Sequence, residues 1–225
     1  MLGRLRERVR RGEALARDAR AAVELSRLGL DYVPWTASAL RPAAMVQIIN
    51  EISINWRRTV VEFGTGISTL YLARVLRDGG RLIAFEDDAG WAEVVRRLLE
   101  AQGLAGAVQI VDAPLAACAQ GVGGLKWYDE AVVTGALAGV SIEMVLVDGP
   151  KAYEAGKALA RYPAFPVVRD FLAPRCAVIL DDAERAGEQQ VLARWRGLPG
   201  FDFDVEVSAA GIALCRRGDY FHTGM

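Results

Sequence analysis

Two groups of residues in this chain have the types and spacing to do chemistry. The first is Gly64-Thr65-Gly66, which follows the largely β-branched and aromatic run 59–63 and precedes Leu70, Tyr71, Leu72 and Val75 at helical spacing. Glycines at a strand-to-helix joint permit positive φ and remove the Cβ atoms that would hold a ligand away, while the first N–H groups of the helix face the same space. Such a joint suits a nucleotide-type ligand, and it can equally be no more than a tight turn. The second group is acidic: Asp148, with Lys151 close behind, ends the apolar run 142–147, and Asp181 and Asp182 end the run 177–180. Carboxylates gathered at one sheet edge need a proton or a cation among them, and hard oxygen donors suit Mg²⁺ or Ca²⁺. The same acids can instead cap the helix predicted over 184–195, or be neutralised by Arg161 and Arg185.

The elements that must position these residues alternate between strand and helix. Residues 81–85 read as a second strand ending in Glu86-Asp87-Asp88, roughly twenty residues beyond the glycines, where nucleoside-binding folds place a carboxylate on ribose hydroxyls. A helix over 91–102, with Gly103 as its stop, leads to a third strand at 108–111 that ends at Asp112. The pattern weakens from 114 to 139, where Trp127-Tyr128-Asp129 among glycines suggests a hairpin reaching over the site. Strands over 142–147 and 177–180 are joined by a crossover through 155–172, which makes them parallel and adjacent. Residues 201–207 and 211–215 then form an antiparallel pair around a Ser208-Ala209-Ala210 turn. The expected fold is α/β, a Rossmann-like doubly wound sheet of five parallel-type strands plus a C-terminal antiparallel hairpin.

Composition sets the remaining bounds. A chain of 225 residues suits one buried α/β domain, divided here into an N-terminal helix and lid segment, 1–41, and a catalytic domain, 42–225. Within the first part, 3–28 alternate arginine and glutamate with apolar residues as an amphipathic helix, whose arginines form a solvated face or meet phosphate or acidic lipid. Trp35, Thr36 and Ser38 either cover the ligand or, for Trp35, pack on the sheet. A net charge of −1 argues against a general nucleic-acid binder. Cys118, Cys176 and Cys215 are widely spaced, with His222 the one histidine, so neither zinc nor a disulfide framework is expected. Arginines interrupt the N-terminus where a signal peptide needs an apolar core, and the apolar stretch 131–147 is too short and too polar to span a membrane. The chain reads as soluble and cytoplasmic, acting on a small molecule, with monomer and homodimer both left open.

The run Val61-Glu62-Phe63-Gly64-Thr65-Gly66 resembles the first motif of the class I S-adenosylmethionine-dependent methyltransferases, an acid followed by Gly-x-Gly, over about residues 42–217. The resemblance implies that Gly64, Gly66 and Ser68 admit the methionine end of the cofactor, Glu86 with Asp87 holds the ribose, Asp112 faces the adenine, and Asp148 lies nearest the methyl. Glu62, on a buried strand, would meet the cofactor ammonium or backbone N–H groups, and Asp112 can alternatively cap the following helix. Asp148-x-x-Lys151 with the later Asp181-Asp182 resembles the metal-dependent O-methyltransferases of the catechol and caffeoyl-coenzyme A type, with Asp182 where they carry an amide. That implies a divalent ion on Asp148, Asp181 and Asp182, and Lys151 taking the proton of the acceptor. The implied reaction is methyl transfer to an oxygen or nitrogen of a small acceptor. Thr69 in place of a third glycine counts against the alternative, a nicotinamide-dependent oxidoreductase; a non-catalytic S-adenosylmethionine-binding protein is the remaining reading.

Overall fold

The computed structural model describes residues 2–224, with side chains from Arg8 onward. In chain order the elements are α1 (Leu2–Ser26), α2 (Pro42–Asn55), β1 (Thr59–Phe63), α3 (Ile67–Leu76), β2 (Arg81–Glu86), α4 (Ala89–Ala101), β3 (Val108–Asp112), β4 (Leu115–Ala117), β5 (Lys126–Tyr128), α5 (Glu130–Ala136), β6 (Ile142–Val147), α6 (Ala164–Val168), β7 (Leu172–Leu180), α7 (Ala186–Arg196), β8 (Asp204–Val207) and β9 (Ala213–Arg217). Seven strands make one sheet in the order β3-β2-β1-β6-β7-β9-β8. The first five are parallel, and β9 runs antiparallel between β7 and β8, as the terminal hairpin predicts.

Side-chain alternation divides the core between the two faces of this sheet. Val61, Phe63, Phe85, Val145 and Val178 face one side, with Trp127, Phe165 and Trp195 against them. Val60, Leu82, Met144 and Ile179 face the other, against Ile48 of α2, Leu72 of α3 and Ala21 and Leu25 of α1. Each such fully buried side chain contributes roughly 1.5–3 kcal/mol, so the strands at the centre hold the frame. Pro42 begins α2 behind an extended Arg41, and Asp88 caps α4 by accepting from the Trp91 N–H at 3.0 Å.

Two expectations need adjustment. The fifth parallel strand begins at Leu172, so the crossover from β6 contains only the five-residue α6, and turns fill much of the rest. Gly156, Pro163 and Pro166 account for this, since they deny the segment a continuous helix. After β3 comes no helix for Asp112 to cap but the β4–β5 hairpin, which sets Tyr128 against Phe63 at the end of β1. Among the described residues, no helix is long and apolar enough to cross a membrane.

Sheet order decides where a ligand can enter. The chain turns from β1 to β2 on one side and later fills β6 on the other, and in open α/β sheets that reversal opens a crevice beyond the strand ends.

Candidate active site

At the crevice, the turns after β1 and β6 meet backbone to backbone. Gly64 has φ +89°, and a Cβ built on it would lie 3.1 Å from the Gly149 nitrogen. A Cβ on Gly149 would lie 2.9 Å from Cα of Gly64 and would collide with the Tyr128 hydroxyl. Glycine is therefore required at both positions, by close approach at each and by conformation at Gly64. Gly66 differs: its backbone is extended, and a Cβ there would meet nothing within 4 Å, so this glycine leaves open space rather than relieving strain.

The turn is held from below and from the side. Thr69 accepts from the Gly66 N–H at 3.0 Å and donates to Glu62 Oε2 at 2.7 Å. Glu62 is fully buried and does not line the cavity; burial pushes its carboxyl up to about 7, and its Oε1 has no hydrogen-bond partner. Glu62, expected to meet the cofactor ammonium or backbone N–H groups, instead supports the turn through the Thr69 hydroxyl. From β2, Glu86 takes the Thr65 N–H and hydroxyl on one oxygen, at 2.8 and 2.7 Å, and the N–H groups of Asp87 and Asp88 on the other, at 3.0 and 3.1 Å. Trp91 completes the bracing by donating from Nε1 to the Thr65 carbonyl at 2.8 Å.

These elements enclose a cavity of about 400 Å³. Gly64, Gly66, Ser68, Glu86, Asp87, Asp148 and Lys151 all line it, as do Thr36 and Ser38 from the segment before α2. Burial, followed by the neighbouring Glu86, raises the Asp87 carboxyl above its ordinary range. Trp35 instead packs near Tyr71, with ring centroids 6.2 Å apart. Asp112, expected to face the adenine, does not line the cavity: its side chain points to α4 and pairs with Arg96 at 2.9 Å. Lys151 is exposed at the mouth of the cavity.

The acidic edge assembles beside this cavity. Asp148, Asp181 and Asp182 offer oxygens within 4.8 Å of one another. None caps α7, whose first turn is preceded by Arg185. Arg161 lies among them almost wholly buried, pairing with Asp148 at 3.0 Å and Asp182 at 3.1 Å, and Arg185 meets Asp182 as well, at 2.6 Å. Burial and then the neighbouring Asp181 raise the Asp148 carboxyl well above the usual range, with Arg161 only partly offsetting them. Burial and then Asp182 raise Asp181 as well. A divalent ion needs deprotonated carboxylates with free lone pairs. Here Arg161 already engages one oxygen of Asp148 and one of Asp182, so an ion on the three acids would have to share the site with a buried guanidinium.

Three contributors escaped the sequence reading or were weighed only lightly. Tyr128 lines the cavity with a fully buried hydroxyl that has no hydrogen-bond partner. Its one sequence signal is its place in an aromatic pair beside a weakly patterned stretch. Trp91 shows only as the aromatic residue of a helix's first turn, and Arg161 as one of two arginines that could neutralise the acids, which its ion pairs now show.

The geometry has counterparts among known proteins. A family model described as a methyltransferase domain matches residues 61–183. A search of curated proteins found no match. Among solved structures, the O-methyltransferase from Bacillus cereus in complex with SAH is 16% identical, with 90% of this chain and 91% of that one covered at a TM-score of 0.54. TomG, an O-methyltransferase from Streptomyces achromogenes involved in tomaymycin synthesis and bound to SAM, is 19% identical over 92% and 90%, with a TM-score of 0.53. SAH-bound PaMTH1, a methyltransferase from Podospora anserina, is 13% identical over 88% of each chain, with a TM-score of 0.63. At these identities the likeness to solved structures is one of fold. The family match runs from within β1 to just past β7, over half the chain, and on that ground the protein belongs to the methyltransferase-domain family as a class I S-adenosylmethionine-dependent methyltransferase.

Proposed function

We propose that the protein moves the methyl group of S-adenosylmethionine to an oxygen or nitrogen of a small-molecule acceptor, with Asp148 at the reacting end of the cavity. The observation that carries this reading is the bare backbone contact of Gly64 with Gly149 in the cavity wall, with Asp148 next to it. The bound cofactor supplies a methyl already activated on its sulfonium.

The chain's own residues supply position and proton removal. Asp87 faces the cavity at the tip of β2 and receives ribose hydroxyls, on a turn that Glu86 fixes. Ser68, at the start of α3, meets the polar methionine end, and the unpartnered Tyr128 hydroxyl donates to the ligand beside Gly149. Asp148, its carboxyl raised by burial among other acids, takes the acceptor's proton as the methyl arrives. Lys151 at the mouth orients the acceptor. Residues 34–40 act as a cover, which fits a division between an N-terminal lid segment, 1–41, and a catalytic part, 42–225.

Calorimetric titration with S-adenosylmethionine, S-adenosylhomocysteine and NAD tests the cofactor, and S-adenosylhomocysteine release on a panel of hydroxyl and amine metabolites tests turnover. Binding of both adenosyl ligands without NAD, followed by turnover on a hydroxyl or amine, is the expected result. NAD binding alone overturns the reading. Cofactor binding without turnover on any acceptor leaves a binding protein.

A further inference from the structure

We infer that Arg161 is the built-in cation of the acidic edge and that this methyltransferase works without a divalent metal. The inference deepens the methyl-transfer reading and rests on it, but the deciding measurement needs no turnover.

Every guanidinium donor of Arg161 is engaged. Nε points to the Pro150 carbonyl at 3.4 Å; Nη1 reaches the Asp181 carbonyl at 3.3 Å and Asp182 Oδ2 at 3.1 Å; Nη2 reaches the Asp148 carbonyl at 2.6 Å and its Oδ1 at 3.0 Å. One side chain from the crossover thereby ties the turn after β6 to the turn after β7. A bridging ion would tie together the same two turns. Arg161 is 3% exposed, and a guanidinium keeps its charge in proteins.

A metal here would meet oxygens already in use: Asp182 Oδ2 is shared between Arg161 and Arg185, and Asp148 Oδ1 is taken by Arg161. An ion bound to these carboxylates would sit close to a buried positive charge, with little water to screen the repulsion. Asp182 also holds a left-handed backbone, φ 57°, a strained state for a residue with a Cβ and one that persists where surrounding contacts enforce it. Its two arginine partners supply such contacts. Arg161 is thus a positioning residue that fixes Asp148 at the cavity, and Glu188, 3.7 Å away, adds to its negative surroundings.

The test is a Mn²⁺ titration of EDTA-treated protein, read by electron paramagnetic resonance, with melting temperature measured with and without Mg²⁺, Mn²⁺ and Ca²⁺. The wild type is expected to leave the free Mn²⁺ signal undiminished and to melt unchanged. Arg161→Met is expected to melt lower and to gain Mn²⁺ uptake, since its carboxylates then lack a cation; Arg161→Lys, with the charge but not the fork, is expected to be intermediate in stability and to take up no Mn²⁺. Wild-type Mn²⁺ uptake that disappears in Asp182→Asn overturns the inference, as does an Arg161→Met protein as stable as wild type. If Arg161→Met does not fold, the wild-type titration decides. Calorimetry with S-adenosylmethionine on the same EDTA-treated sample separates the two readings: absent cofactor binding defeats the methyl-transfer reading, whereas Mn²⁺ uptake defeats only the role of Arg161.

Discussion

Glu86 and Thr65 are joined twice, with one carboxylate oxygen accepting from both the backbone N–H, at 2.8 Å, and the hydroxyl, at 2.7 Å. The tip of β2 and the glycine turn therefore move as one body. Hydrogen bonds to a charged group contribute about 1.5–3 kcal/mol each. Glu86→Ala is expected to weaken S-adenosylmethionine binding by roughly ten- to a hundredfold, with the circular dichroism spectrum unchanged. Thr65→Val, which removes one of the two bonds, should lose less. Unaltered affinity in Glu86→Ala would reject its role in fixing the turn that carries Asp87.

The two glycines flanking the crevice predict opposite behaviour from Gly66. Gly149→Ala drives a Cβ into the Gly64 backbone and the Tyr128 hydroxyl, and overpacking of this kind costs roughly 1–3 kcal/mol. Tyr128→Phe in the same protein should recover part of that loss in chemical denaturation. Gly66→Ala has free space around the new methyl, so it is expected to fold normally yet bind the cofactor less well by calorimetry.

Glu62 makes stability depend on pH in a defined direction. Its carboxyl lies at about 7 in the folded protein against an ordinary 4.5, because burial disfavours the charged form. The folded state thus holds the proton more tightly than the unfolded chain. The resulting stabilisation is complete below pH 4.5 and is lost as pH rises through about 7. The full change amounts to roughly 3 kcal/mol. Denaturant titrations across this window should show wild type losing stability relative to Glu62→Gln as pH rises; parallel curves would reject the assignment.

Asp148→Asn should separate chemistry from cofactor binding. Loss of a general base lowers turnover by about 10²–10⁴-fold, while S-adenosylmethionine affinity should stay within a few fold. The acidic limb of the wild-type pH–rate profile should disappear from the residual activity. Melting temperature should also fall, because Arg161 loses one of its carboxylate partners.

Strand ends were the most readable part of this chain. The runs into Gly64, Glu86, Asp148 and Asp181 are apolar and β-branched, then stop at glycine or acid, and a parallel sheet must bring such ends to one edge. Side-chain direction was harder to read. Glu62 shares a sheet face with Val60, which packs towards α2 and α3, so its carboxylate meets Thr69 beneath the turn rather than the cavity. Asp112 faces Arg96 across α4, a pairing between separate elements that no local pattern encodes. The crossover carries prolines and glycine in place of helical periodicity, so although the sequence offers Arg161 as a neutralising cation, its bridging of two strand ends shows only in the folded chain.

Of the five tryptophans in the chain, Trp91 is the one that lines the cavity, and its indole N–H is tied to the Thr65 carbonyl. An indole so placed gives the protein its own optical gauge of occupancy. Arrival of a ligand alters the polarity around the ring, so intrinsic emission can follow filling and emptying of the pocket in stopped-flow without any label, with Trp91→Phe as the dark control.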